Sequence, residues 1–277
     1  GFNSPNYPPL TIYLFAFSSW LYQIVNQLII FLNQSIKIFP SALVPLMETL
    51  NMQAAFLKLP AIFADLGIGW LIYRLSSKTL LSALYLFNPA VIYISTIWGQ
   101  IESIPIFFIL LSLYFAINVK GRTLDMFLSH VFFTLAILSK QTALWLLPIF
   151  LVLWLKNRPF KTLLQGLTLQ VAIFILLYLP FTHGLTQPFT IYLKTLAGSS
   201  SLVSDAAWNV WHFIYPISTQ DSIILLGLPV RIWSISLLTI SITYITYQFA
   251  KQKLNLYQSL FWLSMVAFFI QTRVHER

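Results

Sequence analysis

The sequence predicts an all-α, polytopic transmembrane helix bundle, and three observations support this fold class. Hydrophobic residues make up 58% of the 277 residues and charged residues only 8%, far below the roughly 25% of a soluble domain. Aromatic residues make up 17%, which suits helices that meet lipid along their length and headgroups at their ends. Several apolar runs reach the roughly 17 to 25 residues needed to cross a hydrocarbon core. We therefore expect a single transmembrane domain over residues 1–277.

Charge and cysteine content exclude several classes of function. The net charge is +9, but the basic residues stand in short clusters between apolar runs. This distribution indicates membrane topology and argues against nucleic-acid binding. The chain has no cysteine, which excludes disulfides and cysteine metal sites, and its four histidines are scattered. No paired carboxylates stand at metal-ligand spacing, so we expect neither a metal nor another cofactor.

About eight crossings are predicted from the apolar runs, together with two long connections on the outer face near 33–53 and 182–230. The predicted crossings lie near residues 54–75, 79–98, 101–119, 123–139, 141–156, 162–181, 231–250 and 255–272.

One further apolar run, Leu10–Leu32, decides the topology. Five polar residues interrupt it, which favours a helix lying in the outer interface, although a ninth crossing stays open. With the flat helix, four basic loops fall on one side, and the positive-inside rule makes that side the cytoplasm. The interrupting residues are Ser18, Ser19, Gln23, Asn26 and Gln27. The loops contain Arg74 and Lys78; Lys120 and Arg122; Lys156, Arg158 and Lys161; and Lys251 and Lys253.

Two motifs near the predicted outer face contain polar groups suited to a sugar. The first is Asn6-Tyr7-Pro8-Pro9-Leu10, where the proline pair also fits a simple helix start. The second is Trp98-Gly99-Gln100-Ile101-Glu102-Ser103, a polar turn between two apolar spans. Gln100 and Glu102 offer partners for sugar hydroxyls, although a glutamate at a helix start also complements the helix dipole.

Two further motifs are basic and lie on the same predicted outer side. In Ser139-Lys140-Gln141-Thr142, the lysine breaks the positive-inside bias and so needs an anionic partner or headgroup, unless it snorkels. In Thr272-Arg273-Val274-His275-Glu276-Arg277, the two arginines stand four residues apart and match phosphate oxygens. A membrane-boundary cluster is the alternative for this last motif.

The segment 182–230 carries an aromatic and polar mixture suited to a carbohydrate or headgroup surface. The alternative is a solvated loop with interfacial tryptophans. The residues concerned are His183, Asp205, Trp208, Asn209, Trp211, His212 and Asp221.

Taken together, the four motifs resemble those of the C-type glycosyltransferases, and the likeness extends over nearly the whole chain. These are multi-pass membrane enzymes that transfer a sugar from a polyprenyl-phosphate donor on the outer or luminal face. Asn6-Tyr7-Pro8-Pro9-Leu10 resembles the proline pair of their first outer loop, and Trp98–Glu102 resembles a bacterial "W-G-Q-x-[DE]" turn. Leu138–Thr142 is similar to the "[ST]-K-Q" turn. Val274-His275-Glu276-Arg277 is similar to "V-H-E-[KR]" in glucosyltransferases and bacterial mannosyltransferase-like relatives.

The resemblance and the aromatic segment 182–230 together suggest roles for ten residues, with Lys140 and the segment from Arg273 to Arg277 expected to converge on one outer cavity. Lys140, Arg273, His275 and Arg277 would bind the donor phosphate, and Asn6, Tyr7, Gln100, Glu102, Trp208 and His212 would bind substrate. The acceptor would be a glycan, a lipid or a protein. The expected location is a bacterial plasma membrane with an outward-facing site, or an endoplasmic reticulum membrane in a eukaryote.

Two departures from the family pattern limit what the resemblance implies. Asn6 stands where several relatives carry an aspartate. The family's first helix and its catalytic base would precede Gly1, so the chain is expected to be a fragment that also lacks C-terminal helices. A secondary transporter or lipid flippase, and a non-catalytic membrane subunit, are the alternative functions.

Overall fold

The computed structural model describes residues 7–117, 122–157, 159–196, 201–204, 207–216 and 218–273. Within these ranges the ordered elements are almost entirely helical, which confirms the all-α prediction. The α-helices are α1 (Pro9–Ser35), α2 (Leu43–Met47), α3 (Leu50–Ser76), α4 (Thr79–Leu86), α5 (Pro89–Ile92), α6 (Ser103–Ile117), α7 (Thr123–Ser139), α8 (Leu147–Asn157), α9 (Phe160–Tyr178), α10 (Gln187–Leu196), α11 (Val230–Ala250) and α12 (Leu256–Ile270). The other elements are a π-helix (Tyr93–Trp98), 3₁₀-helices (Gln141–Leu146, Leu179–Phe181, Val210–Phe213) and a hairpin of β1 (Ile224–Leu225) and β2 (Leu228–Pro229).

Several of the described helices are compatible with a multi-pass membrane protein. By length and composition, α1, α3, α11 and the segment Phe160–Phe181 can each cross a membrane. A fifth span results if α4 and the segment Pro89–Trp98 are counted as one. The apolar helices α6, α7 and α12 and the segment Gln141–Lys156 are shorter. The 15 residues of α6 extend only about 22 Å, below the roughly 30 Å of a hydrocarbon core. Each of the eight predicted spans contains helical residues, but the number of times the chain crosses a membrane is still a prediction.

The predicted span 79–98 is not one straight helix. Its two halves meet at a bend of 46°. Asn88 explains the break, because a following proline drives a residue out of the helical region, and Asn88 has ψ 120°. Its side chain then caps the next helix by accepting a hydrogen bond from the Ala90 N–H at 2.9 Å.

The predicted helix over residues 10–32 is confirmed as α1, an uninterrupted helix of 27 residues. Its exposed face has one polar and one apolar stripe, offset by one residue and therefore by about 100° around the helix. Such a face suits a helix with water on one side and lipid on the other, so the interfacial orientation stays our prediction. Ser19, Gln23 and Gln27 form the polar stripe, and Trp20, Ile24 and Leu28 form the apolar stripe.

The two predicted outer connections contain more regular structure than expected. The segment 33–53 includes α2, and α3 begins inside it because the Thr49 side chain accepts a hydrogen bond from the Met52 N–H at 3.3 Å. The segment 182–230 includes α10, a 3₁₀-helix and the hairpin. It also builds a small buried core from Val203, Trp211 and Val230. These short elements do not appear in a search for apolar runs of spanning length.

The described chain forms two compact units. The N-terminal unit comprises Tyr7–Lys140 and Leu169–Leu185, and the C-terminal unit comprises Gln141–Thr168 and the described residues from 186 onward. In the N-terminal unit, α3 packs against α1, α4 and α6, and α6 packs against α7. Gly67 permits close packing of α3 on α6, because a Cβ atom there would lie 2.3 Å from Phe107 Cε2. In the C-terminal unit, α11 packs against α8 and α12.

Candidate functional site

Residues of three of the four sequence motifs lie together in the N-terminal unit. Tyr7, just before α1, packs against a small core that includes Ile101 of the Trp98–Ser103 turn. Thr11, in the first turn of α1, donates its hydroxyl hydrogen to the Ser139 carbonyl at 2.8 Å, and both residues are buried. Lys140 follows Ser139 directly. The start of α1, the polar turn and the lysine turn are therefore brought together by packing and by one buried hydrogen bond.

The backbone of the polar turn requires Gly99. The π-helix ends there in the left-handed region, with φ 80° at Gly99, and the Gln100 N–H donates to the Ile94 carbonyl at 2.9 Å. A Cβ atom at Gly99 would also lie 3.0 Å from Lys58 Cε. Glycine tolerates this conformation without steric cost, so the turn reverses the chain tightly and places Glu102 immediately before α6.

Glu102 and Lys140 form an ion pair in this unit. Lys140 ends α7 in an extended conformation, and its Nζ lies 2.7 Å from Glu102 Oε1. The two side chains are 24% and 21% exposed, so water reaches the pair only in part. Glu102 Oε2 is buried and has no hydrogen-bond partner within the described part of the chain. One carboxylate oxygen therefore binds the ammonium, while the other keeps an unused capacity to accept a hydrogen bond.

A cavity of about 350 Å³ lies beside the polar turn. Its walls are mainly apolar, and Lys58 is the charged residue that lines it. The Lys58 Nζ donates a hydrogen bond to the Ile97 carbonyl at 2.8 Å, which holds the ammonium against the end of the π-helix. The cavity is lined by Phe15, Ala54, Leu57, Lys58, Trp98 and Gly99.

A buried carboxylate network lies behind the turn, and the motifs did not predict it. Asp65 in α3 is 7% exposed, and its Oδ1 accepts hydrogen bonds from the Tyr85 hydroxyl at 2.7 Å and the Ser103 hydroxyl at 2.5 Å. Ser95 Oγ lies 3.0 Å from Ser103 Oγ. The sequence signal was an aspartate within an apolar run, which is costly unless it is paired or functional. Its hydroxyl partners lie in other helices and could not be inferred.

Arg273 of the fourth motif lies in the C-terminal unit, where an aspartate neutralises it. The Arg273 Nε lies 2.6 Å from Asp221 Oδ2, and Asp221 is only 2% exposed. Arg273 adopts a left-handed backbone with φ 63°, and its N–H donates to the Leu202 carbonyl at 3.2 Å. Sequence reasoning assigned Arg273 to a phosphate and placed Asp221 only in an aromatic and polar surface, so the ion pair was missed.

The segment 201–230 also holds the end of α12 through backbone carbonyl groups. The Trp211 Nε1–H donates to the Ile270 carbonyl at 2.6 Å, and the Asn209 Nδ2–H donates to the Gln271 carbonyl at 3.0 Å. Trp211 is therefore a buried structural anchor and not part of an open aromatic surface. These contacts fix the residues that lead into Arg273.

Trp208 and His212 form an aromatic pair in the C-terminal unit. Their ring centroids lie 5.1 Å apart, and Trp208 is 68% exposed. The backbone N–H of His212 donates a hydrogen bond to Asn209 Oδ1. The ring nitrogen Nδ1 of His212 is buried and has no hydrogen-bond partner in the described ranges. An exposed indole beside an imidazole suits contact with a sugar ring or a lipid headgroup. A binding surface and a solvated loop with interfacial tryptophans therefore both stay possible interpretations.

Some predicted site residues fall outside the described part of the chain, so the structure assigns them no position. These are Asn6, Asp205, His275, Glu276 and Arg277. Lys140 and Arg273 belong to different units, and their convergence on one cavity stays a prediction. Within the described ranges, no three His, Asp or Glu side chains are grouped closely enough to hold a metal ion.

Comparison of the chain with protein-family models, with curated proteins and with solved structures finds no match. A functional assignment therefore depends on the residues and the geometry described above.

Proposed function

We propose that this chain is a glycosyltransferase that moves a sugar from a polyprenyl-phosphate donor to an acceptor on the outer face of a membrane. The Glu102–Lys140 ion pair is the observation that carries this proposal, because it joins two of the resembling motifs. The Glu102 side chain is 21% exposed, and a carboxylate accepts hydrogen bonds from sugar hydroxyls.

The reaction makes two demands, and Lys140 can meet the second of them. An acceptor hydroxyl attacks the anomeric carbon and loses its proton, while the bond from that carbon to the phosphate oxygen breaks. Negative charge then builds on the departing polyprenyl phosphate. A nearby ammonium such as Lys140 stabilises that charge more in the transition state than in the ground state. Glu102 is assigned to binding of the acceptor, and none of the described residues is assigned as the general base.

Other residues of each unit supply space and contacts that suit a lipid-linked sugar. The cavity beside Trp98 and Gly99 has room for a small polar group, and its volume lies in the roughly 300 to 1,000 Å³ range of ligand pockets. Tyr7 and Gln100 are assigned to the sugar. Trp208 and His212 of the C-terminal unit supply an exposed aromatic surface for a glycan or a lipid headgroup.

The test is sugar transfer by the full-length protein reconstituted in vesicles with polyprenyl-phosphate-linked mannose or glucose. Lys140→Met removes the ammonium and should lower kcat about 10²-fold, the size of effect seen when one transition-state donor is removed. Glu102→Gln should instead raise the KM for the acceptor. Lys78→Gln is the control, because Lys78 is exposed and lies outside all four motifs. Unchanged transfer by both Lys140→Met and Glu102→Gln would overturn the proposal.

A secondary transporter or lipid flippase is the second candidate, and Asp65 favours it. This carboxylate is buried in a helix of spanning length, and such residues mark ion or proton pathways in transporters. The bend at Asn88–Pro89 also resembles the discontinuous helices that form transport sites.

Asp65→Asn separates the two candidates. An asparagine keeps an oxygen that can accept from Tyr85 and Ser103, so the packing is expected to survive. It cannot bind and release a proton. A transferase should keep most of its activity in this variant, whereas a proton-coupled transporter should lose uptake or lipid flipping in a vesicle assay.

A further inference from the structure

A cleft between α11 and α12 in the C-terminal unit is apolar along its length and basic at one end. Its volume is about 550 Å³. Ile240, Tyr244, Trp262 and Val266 supply most of the apolar wall, and Gln248 and Lys253 supply the polar end. Ile240, Tyr244 and Trp262 are each more than half exposed, so the cleft is open to its surroundings.

The turn after α11 holds Lys253 at the polar end of the cleft. The chain reverses at Gln252, which has φ 60°, and the Lys253 N–H donates to the Gln248 carbonyl at 2.9 Å. Asn255 then starts α12 through a capping box with Gln258, so both ends of the turn are fixed by hydrogen bonds. The ion pairs Lys140–Glu102 and Arg273–Asp221 do not involve Lys253.

The positive charge at this end has no acidic residue nearby in sequence to neutralise it. Lys156 Nζ donates to the Phe249 carbonyl at 3.0 Å, and Lys251 Nζ lies 5.8 Å from the Tyr247 ring centroid. The sequence has no Asp or Glu between positions 221 and 276. Three lysines at one end of α11 therefore create a local field that favours an anion.

The length of the cleft fits one leaflet of a bilayer. Ile240 and Gln248 are eight positions apart on α11, which corresponds to about 12 Å of helix. The hydrocarbon of one leaflet is roughly 15 Å thick. An acyl chain lying along the apolar wall would thus bring its headgroup to the level of Lys253.

We propose that this cleft binds an anionic glycerophospholipid, with one acyl chain against Tyr244 and Trp262 and the phosphate at Lys253. The basic loops predict that this end faces the cytoplasm, where anionic lipids concentrate and attract juxtamembrane lysines. The cleft shares no residue with the Glu102–Lys140 pair, and the proposal does not depend on the proposed transferase activity.

Native mass spectrometry of the full-length protein tests the proposal by titration with dioleoyl phosphatidylglycerol and dioleoyl phosphatidylcholine. Phosphatidylglycerol should bind about tenfold more tightly than phosphatidylcholine. Lys253→Gln should weaken phosphatidylglycerol binding about fivefold, the contribution of one lysine near a membrane surface, and should leave phosphatidylcholine binding unchanged. Lys161→Gln is the matched control, because Lys161 is in the same unit and on the same predicted side but does not line the cleft.

A second variant tests the apolar wall separately. Ser241→Phe fills the cleft and should weaken the binding of both lipids. Four outcomes would overturn the proposal: equal affinity for the two lipids, an unchanged Lys253→Gln variant, displacement of phosphatidylglycerol by millimolar inorganic phosphate, or tighter binding of a polyprenyl phosphate. A dimer that Ser241→Phe disrupts would instead assign the cleft to a second copy of the chain.

Discussion

Lys140 Nζ lies 2.7 Å from Glu102 Oε1, although 38 positions separate the two residues in the chain. The pair links the end of α7 to the start of α6, and it is partly shielded from water. It should therefore contribute to the stability of the N-terminal unit as well as to any chemistry there.

A double-mutant cycle with Lys140→Met and Glu102→Gln measures that contribution. We expect a coupling free energy of about 1 kcal/mol, near the upper end for partly exposed pairs. Lys140→Met should be the more harmful single change, because it leaves Glu102 as an unpaired carboxylate whose Oε2 is already buried. Glu102→Gln keeps an oxygen that can accept from the ammonium. Thermal unfolding in detergent provides the measurement, and strictly additive effects would contradict the expected coupling.

The second prediction concerns Arg273 and Asp221. Arg273→Ala should lower the free energy of unfolding by about 3 kcal/mol, because it leaves the carboxylate of Asp221 buried without its partner. Asp221→Asn should cost less, since Arg273 is 25% exposed and can reach water. Denaturant titration of the unmodified protein and of the two variants measures the three free energies of unfolding. Equal losses in the two variants would show that the burial of Asp221 does not determine the cost of breaking this ion pair.

This stability cost changes how a role for Arg273 in donor binding should be tested. The resemblance assigned Arg273 to the donor phosphate, and Arg273→Ala is the simplest variant that removes this side chain. With Asp221 buried beside it, Arg273→Ala would lower activity through misfolding as well. Arg273→Lys is the sharper variant, because it keeps the positive charge for Asp221 but loses the planar fork that binds two phosphate oxygens. If Arg273 contacts the donor phosphate, this variant should raise the KM for the donor while the unfolding temperature changes little.

The sequence supplied the fold class and the order of the helices, because long apolar runs carry that information directly. The Asn88–Pro89 bend follows from the local sequence as well, but a search for apolar runs treats residues 79–98 as one span and misses it. The ion-pair partners were not predictable, since Asp221 and Arg273 are 52 positions apart and only packing brings them together. The same holds for the hydrogen bond from Thr11 to Ser139 across 128 positions. Motifs thus located candidate side chains, whereas their partners required the tertiary structure.

The predicted orientation of the chain can be checked with single cysteines, because the natural sequence contains none. Thr123 begins α7 beside the basic loop at Arg122 and is exposed. Thr123→Cys should not react with a membrane-impermeant maleimide applied to intact cells, but should react after permeabilisation. Leu226→Cys, at the tip of the hairpin in the predicted outer segment, is the matched control because Leu226 is 85% exposed. The reverse labelling pattern would invert the topology and place the Glu102–Lys140 pair on the cytoplasmic side.

The last prediction concerns the orientation of α1. In its polar stripe, Ser19 and Gln27 are eight positions apart with Gln23 midway, which corresponds to about 12 Å along the helix. If α1 lies flat, all three positions are at one depth and face water. If α1 crosses, they occupy different depths, and at least one of them lies in hydrocarbon, where an impermeant reagent does not reach it.

Cysteine scanning separates these two arrangements. In the flat arrangement, Ser19→Cys, Gln23→Cys and Gln27→Cys should each react with an externally applied maleimide at similar rates. Ile24→Cys, on the apolar stripe one position away from Gln23, should be protected because it faces lipid. A rate that falls progressively along the polar stripe from one end to the other would show that α1 crosses the bilayer. The two ends of α1 would then lie on opposite sides of the membrane, so the Asn6–Leu10 motif and the connection 33–53 could not both face outward.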